Sequence, residues 1–207
     1  MTYNKERKFR IIIFWTKIWE AFLLANRNDS LKEKSIVFIG FMGVGKTSIG
    51  KAVAKKLYRD FIDADQEIEK EYGMPVSKIF EQLGEKTFRE KEKELVVNLC
   101  KRKLHIISLG GGSFLQEEIK KACLENCIVI YLDLTWESWK ERLHMLIDSR
   151  PILQGKSLEE METLFYERKQ IYIDHHLKVL TDQQEIEEVA DYIVESLKLA
   201  WDLDDAK

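Results

Sequence analysis

From residue 35 onward, the chain alternates short apolar runs with longer amphipathic stretches. Apolar runs rich in β-branched residues are typical of buried strands, whereas apolar positions spaced three or four apart indicate helices. Repetition of a strand and then a helix is the pattern of βα units, which build a mostly parallel sheet covered by helices. The sequence therefore predicts one α/β domain over residues 35–203.

The predicted strands are residues 35–39, 61–63, 105–109, 128–132 and 177–180. The predicted helices are residues 46–57, 66–72, 76–83, 87–100, 136–143, 158–172 and 185–203. Between residues 146 and 156 neither periodicity continues, which predicts a loop. Ligands of such a sheet bind at the carboxyl ends of its strands, so residues that follow a strand are the candidates for function.

The first 34 residues follow a different pattern. A basic stretch precedes an apolar run, but Lys17 and Glu20 interrupt that run before it is long enough to span a bilayer. We expect residues 1–34 to be an N-terminal extension, amphipathic or disordered, that docks on the domain, a partner or a membrane surface without stable insertion. Residues 204–207 are expected to be a C-terminal tail.

Composition limits the possible partners. The net charge is -3 and the pI is about 5.9, so the chain lacks the basic balance of a nucleic-acid-dependent ATPase, and no nucleic-acid partner is expected. The three cysteines, Cys100, Cys123 and Cys127, do not match a secreted disulfide scaffold. We expect them to be buried thiols rather than a metal site, in a cytoplasmic protein.

Residues 40–47 read GFMGVGKT and match the phosphate-binding pattern G-x-x-x-x-G-K-[ST], directly after a predicted strand and before a predicted helix. In such a loop the backbone N–H groups and Lys46 bind phosphate oxygens, and the Thr47 hydroxyl can ligate Mg²⁺. The predicted ATP-binding residues here are Gly43, Val44, Gly45, Lys46, Thr47 and Ser48. The motif indicates a nucleotide site and leaves the second substrate open.

Three further groups follow predicted strands or lie on a neighbouring helix. Asp63 and Asp65 end a strand, where they can hold magnesium-bound water or orient a hydroxyl, or alternatively serve as a helix N-cap and a solvated charge. Arg89 precedes Glu92 by three residues, a spacing that can orient a guanidinium or form an ordinary surface pair. Residues 110–112 are three glycines, which allow a ligand to approach the backbone or simply form a turn.

Together these motifs resemble those of the shikimate kinase family. The family pattern has a phosphate loop, D-x-D, GE-x-x-FR-x-x-E, GGG after a strand, RP-x-L and R-x-x-x-Y. The corresponding segments here are GFMGVGKT, DAD (63–65), GEKTFREKE (84–92), SLGGG (108–112), RPIL (150–153) and RKQIY (168–172). The resemblance implies a three-layer P-loop kinase fold, with a parallel five-stranded sheet flanked by helices and a mobile lid.

The resemblance also implies a reaction, in which Mg²⁺-ATP phosphorylates the 3-hydroxyl of shikimate. The catalytic residues would be Lys46, Asp65 and Arg150. Asp65 would bind the ring hydroxyls, and Arg150, on the lid, would contact the transferring phosphoryl group and thus ATP. Thr47 would ligate magnesium, and Asp63 would lie near it, in contact either directly or through water.

The remaining implied roles concern the acceptor. Arg89 and Arg168 would bind the shikimate carboxylate, a task that suits planar bidentate donors. Gly110, Gly111 and Gly112 would pack under the ring. The small-molecule partners would be ATP and shikimate, and the protein would be a monomer. Two alternatives remain: another small-molecule kinase of this fold, such as gluconate kinase, and a non-catalytic binding protein.

The chain departs from the family pattern near its last motif. Gln170 stands where the family often has proline, and His175 and His176 follow where small or acidic residues are usual. We expect both histidines to be partly exposed loop residues. The lid after Arg142 is about one residue longer than is common, so the family's adenine-stacking role is not assigned to Arg142.

Overall fold

A computed structural model describes residues 30–143, 153 and 155–205 of the chain. Within these residues the strands form one parallel sheet in the order β2-β3-β1-β4-β5. The strands are β1 (Ile36–Ile39), β2 (Asp60–Asp63), β3 (His105–Ser108), β4 (Ile128–Asp133) and β5 (Leu177–Leu180). The predicted α/β class and the five parallel strands are confirmed.

Helices connect these strands. They are α1 (Lys46–Leu57), α2 (Ala64–Tyr72), α3 (Val76–Leu99), α4 (Glu117–Asn126), α5 (Trp136–Glu141), α6 (Leu158–Ile171) and α7 (Ile186–Asp205), with a 3₁₀ turn at Ser113–Leu115. The helices predicted over residues 76–83 and 87–100 both lie within α3, which is broken between them at Gly84, where φ is 82° and ψ is 154°. The sequence pattern does not predict α4, because only Ile119 and Cys123 of this short, charged helix are buried.

The strand order determines where a ligand can bind. β2 and β3 lie on one side of β1, and β4 and β5 lie on the other, so the chain crosses from one side of β1 to the other between β3 and β4. Such a switch point leaves a crevice at the carboxyl end of the strand. All residues of β1 and β4 are buried, as expected of central parallel strands covered on both faces. In the described part of the chain, no helix combines the length and the apolar character needed to cross a membrane.

The packed domain begins before β1. The Leu31 side chain is only 1% exposed. Lys34 forms an antiparallel bridge with Lys103, and the Arg59 guanidinium donates hydrogen bonds to the carbonyls of Lys34 (2.8 Å) and Lys32 (2.5 Å). Residues 1–29, which make up most of the predicted extension, lie outside the described residues.

The expectation that His175 and His176 are partly exposed is wrong, since both are buried. The Val129 N–H donates to Nδ1 of His176 (2.9 Å), and the His176 N–H donates to the Val129 carbonyl (2.9 Å). The backbone bond extends the pairing of β4 with β5 by one residue, so His176 is buried together with the sheet. Burial lowers the pKa of His176 to about 3, with a smaller contribution from His175.

The three cysteines are buried and free, as predicted for thiols. The Sγ atoms of Cys100 and Cys123 are 3.6 Å apart, where the end of α3 packs against α4. They belong to the core beneath the sheet, away from the carboxyl ends of the strands.

Candidate active site

The loop between β1 and α1 has a conformation that requires glycine. Gly40, Gly43 and Gly45 all have positive φ, at 141°, 78° and 100°. A Cβ on Gly40 would also collide with the Leu132 carbonyl oxygen of β4. Gly45 is the N-cap of α1 and has no side chain with which to cap that helix, so the first-turn N–H groups are available to an anion.

Lys46 holds its charge over this loop. Its Nζ donates hydrogen bonds to the carbonyls of Gly40 (2.8 Å) and Phe41 (2.9 Å), and the residue is only 8% exposed. The loop thus offers a buried cation beside a helix N-terminus, which is the arrangement that binds nucleotide phosphates.

Two side chains from α5 and its C-cap hold the outer side of the same loop. The Trp139 Nε1–H donates to the Met42 carbonyl (2.8 Å), and Arg142 Nη1 donates to the Gly43 carbonyl (3.1 Å). The sequence does not predict these contacts, because the partners lie far apart along the chain and belong to no local motif. They fix the loop backbone independently of a ligand.

The two predicted magnesium residues are in contact. The Thr47 hydroxyl donates to Asp63 Oδ2 at 2.7 Å. The other Asp63 oxygen, Oδ1, accepts from the Gln66 N–H (3.4 Å) and caps α2, so the N-cap interpretation is also correct. A hydroxyl and a carboxylate oxygen side by side are hard ligands of the kind that Mg²⁺ prefers.

Beside the loop lies a cavity of about 380 Å³. This volume falls in the range of small-molecule sites. Every predicted substrate-binding residue lines it, together with apolar residues on α3 and with Met42 of the loop. The lining residues are Met42, Asp65, Val76, Phe80, Glu85, Phe88, Arg89, Glu92, Gly110, Gly111, Gly112 and Arg168.

Arg89 is held by two carboxylates on α3. Its Nη1 donates to Glu92 Oε2 (2.7 Å), while Nε and Nη2 both donate to Glu85 Oε1 (3.1 Å). Burial alone would lower the pKa of Arg89, but its contacts with Glu92 and Glu85 raise it. The guanidinium is therefore a fixed cation in the cavity wall rather than half of a surface pair.

Glu92 is itself fixed from the opposite side. It is fully buried and accepts hydrogen bonds from Ser113 Oγ (2.5 Å) and Gln116 Nε2 (2.8 Å). Neither Ser113 nor Gln116 carries a recognisable motif, and both lie in a segment where the sequence predicts no element. The buried carboxylate thus links α3 to the segment that follows the three glycines.

The glycines make room for the polar side chains. A Cβ on Gly112 would lie 2.7 Å from Nη2 of Arg89, and one on Gly110 would lie 2.7 Å from Oδ1 of Asp65. A Cβ on Gly111 would lie 3.3 Å from the Met42 nitrogen. The run is therefore more than a turn, because its backbone packs against both this cavity and the phosphate loop.

Comparison with known proteins agrees with this geometry. The shikimate kinase family model matches residues 42–198. A shikimate kinase of Oceanobacillus iheyensis is 61% identical over 173 residues, which cover 84% of this chain and 94% of that protein. The chain belongs to the shikimate kinase family. A shikimate kinase of Bacillus subtilis is 59% identical over 180 residues, covering 86% of this chain and 97% of that protein.

Solved structures of the shikimate kinase family have the same fold. A shikimate kinase from Acinetobacter baumannii in complex with shikimate is similar with a TM-score of 0.75 and 32% identity, over 81% of this chain and 94% of that one. The three-layer P-loop kinase fold predicted from the motifs is confirmed.

Arg168, from the last motif of the family, enters the cavity from α6. Its Nη1 is buried and has no hydrogen-bond partner among the residues that the structure describes. A buried donor of a charged group costs free energy unless an acceptor meets it. Arg168 is thus suited to an anionic ligand.

The lid of the shikimate kinase family corresponds here to the loop predicted between residues 146 and 156. Residues 144–152 and 154 lie outside the described part of the chain, and Arg150 is among them. Its role as a catalytic and ATP-binding residue stays a prediction. Of the lid motif RPIL, only Leu153 is described, and it is buried.

Proposed function

We propose that this protein is an ATP-dependent shikimate kinase, which transfers the γ-phosphoryl group of ATP to the 3-hydroxyl of shikimate in aromatic amino-acid biosynthesis. The observation that carries the proposal is the cavity beside the phosphate loop, which Arg89, Arg168 and Asp65 all line. The two arginines are permanent cations that suit the carboxylate of the acceptor, and the Asp65 carboxylate suits hydroxyl groups on its ring. The products would be ADP and shikimate 3-phosphate.

The chemistry is a direct in-line transfer without a covalent enzyme intermediate. The acceptor hydroxyl oxygen forms a bond to the γ-phosphorus as the bond to the β-phosphate oxygen breaks, the hydroxyl proton is released, and ADP leaves. Lys46 and the N–H groups at the start of α1 offset the phosphate charge, while Asp65 orients the attacking hydroxyl. Arg150, on the lid, would stabilise charge on the transferring group. Catalysis then rests on positioning and electrostatic stabilisation.

Thr47 and Asp63 would hold magnesium, which supplies charge neutralisation at the phosphates when it is bound. Their oxygens are adjacent, as this role requires. Mg²⁺ in kinases is usually bound by one or two protein oxygens together with substrate phosphates and water. A single hydroxyl–carboxylate pair at the loop is therefore sufficient protein ligation.

The carboxylate site and the aromatic wall beside it together favour shikimate over other acceptors. Arg89 is fixed by Glu92 and Glu85, and Arg168 carries a buried donor that lacks a partner among the described residues. Gluconate also carries a carboxylate, but it is an open chain, whereas the aromatic wall of Phe80 and Phe88 suits a ring.

We propose a monomeric cytoplasmic enzyme, and three buried free thiols fit a reducing compartment.

A coupled assay of ADP release tests the function. It should be run with Mg²⁺-ATP and either shikimate, gluconate or no acceptor. We expect release only with shikimate, and equal release in all three arms would refute the proposal. Lys46→Ala should abolish turnover, whereas Lys55→Ala, which removes an exposed lysine from the same helix, should not. Calorimetric binding of shikimate without turnover would favour the non-catalytic alternative.

A further inference from the structure

Tyr172 ends the helix that carries Arg168, one turn beyond that residue. Its hydroxyl donates a hydrogen bond of 2.5 Å to the Gly111 carbonyl, across 61 residues of sequence. Gly111 in turn packs on the backbone of the phosphate loop near the Met42 nitrogen. One hydroxyl thus connects the Arg168 helix, the glycine run and the loop that binds ATP.

The orientation of this hydroxyl is fixed from several directions. The Tyr172 side chain is only 1% exposed, and its ring lies 5.3 Å from that of Tyr131. His175 Nδ1 donates to the Tyr172 carbonyl (2.8 Å), and the Tyr172 N–H donates to the Lys169 carbonyl (3.2 Å). Burial raises the pKa of Tyr172, so its hydroxyl remains a donor at neutral pH.

Two other contacts hold α6 against the domain, but they reach Phe41 of the phosphate loop and β4 rather than the glycine run. Phe165 packs edge-on against Phe41, with ring centroids 5.3 Å apart. Lys169 Nζ makes an ion pair with Asp133 at 2.9 Å, on the β4 side of the helix. Apolar packing tolerates small rotations of a helix, whereas a short hydrogen bond loses strength steeply with distance and angle.

We propose that Tyr172 is a positioning residue of the acceptor site. Its bond to Gly111 sets the distance from Arg168 to the glycine run and the phosphate loop, and so aligns the acceptor with ATP. This inference rests on the proposed function, because it assumes that Arg168 binds the acceptor carboxylate. A misplacement of about 1 Å in such a clamp can cost two orders of magnitude in rate.

Tyr172→Phe removes the hydroxyl and keeps the ring, and Tyr131→Phe is the matched control. Tyr131 is also a buried phenol, and its hydroxyl contacts Asp133 rather than the glycine run. We expect Tyr172→Phe to raise the shikimate Kd and to lower kcat/KM for shikimate by roughly tenfold, with the KM for ATP changed less than about twofold. Tyr131→Phe should leave both shikimate constants within about twofold of wild type.

A double-mutant cycle separates an effect on the position of Arg168 from a general loss of stability. If Tyr172 acts through Arg168, Tyr172→Phe should weaken shikimate binding much less in an Arg168→Ala background than in the wild type. Equal effects in both backgrounds, equal losses in the two phenylalanine variants, or an unchanged Tyr172→Phe variant would each overturn the inference alone. Absence of shikimate binding by the wild type would overturn the proposed function, and the inference with it.

Discussion

The buried carboxylate of Glu92 offers a quantitative test of how the acceptor site is built. It accepts three hydrogen bonds, from Arg89 Nη1, Ser113 Oγ and Gln116 Nε2, at 2.7, 2.5 and 2.8 Å. In Glu92→Gln, the amide oxygen can replace Oε2 and keep the bonds from Arg89 and Gln116, while the amide NH₂ can donate to the Ser113 hydroxyl. Glu92→Ala leaves all three donors without their acceptor.

The two variants should therefore lower the free energy of unfolding by different amounts. Glu92→Gln loses mainly the charge assistance to Arg89, which we put at about 1–2 kcal/mol of the free energy of unfolding. Glu92→Ala breaks a buried ion pair, and we expect a loss of roughly 3–5 kcal/mol. Glu85→Gln is the control, since Glu85 also bonds to Arg89 but its side chain is 64% exposed, and it should cost less than about 1 kcal/mol.

Urea unfolding monitored by circular dichroism gives these free energies, and calorimetry gives shikimate affinity. Because Glu92 orients Arg89, we expect Glu92→Ala, which loses that hydrogen bond, to weaken shikimate binding by roughly 5- to 30-fold, the equivalent of about 1–2 kcal/mol. Nucleotide affinity should be unchanged. If Glu92→Ala were no less stable than Glu85→Gln and bound shikimate like the wild type, the structural account of Arg89 would be wrong.

Three further changes test other parts of the structure. Gly112→Ala places a Cβ 2.7 Å from Arg89 Nη2, and calorimetry should show shikimate binding weakened roughly tenfold or more, with ATP binding unchanged. Asp63→Asn should raise the Mg²⁺ concentration for half-maximal ADP release by roughly tenfold, whereas Asp60→Asn, an exposed change in the same strand, should not. His176, whose pKa is lowered from 6.5 to about 3, stays neutral in the native state while the unfolded chain binds a proton below pH 6.5. The free energy of unfolding should therefore fall as pH decreases from 6.5 towards 3. His176 accounts for about 1.4 kcal/mol of this loss per pH unit, and His176→Gln should lack that part of the pH dependence.

Each of these has an outcome that contradicts it. Unchanged shikimate affinity in Gly112→Ala would mean that Arg89 can move without loss of binding. The same Mg²⁺ requirement in Asp63→Asn and Asp60→Asn would remove Asp63 from the metal site. A native-state NMR titration in which the His176 ring takes up a proton near pH 6.5 would show that the ring is not held neutral.

The features predicted correctly from the sequence depend on short stretches of chain. The central strands β1 and β4 follow from continuous apolar runs, since a strand buried on both faces needs no polar positions. The phosphate loop follows from glycines at three positions where φ is positive. Asp65, Arg89, Arg168 and the glycines were found by the order of the family's motifs, and the structure brings them to one cavity.

The features that the sequence does not predict depend on contacts between distant segments of the chain. His176 looks like an exposed loop residue because its hydrogen-bond partner, Val129 of the neighbouring strand, lies 47 positions earlier. Ser113 and Gln116 matter only because Glu92 lies opposite them in space. The helix Glu117–Asn126 carries too few buried residues for a clear helical period. Local periodicity holds no information about such partners, and so these features could not be derived from it.

The contact between Trp139 and the phosphate loop gives the protein a built-in optical probe. The indole Nε1–H bonds directly to the Met42 carbonyl, and the ring lies 5.2 Å from that of Trp136 in a stacked pair. Indole emission responds to hydrogen bonding and to nearby charge, so a nucleotide that enters the loop should change the fluorescence of this pair. This change would allow nucleotide affinity to be measured without a label or a coupling enzyme. Trp139→Phe is the control, because it should remove the signal.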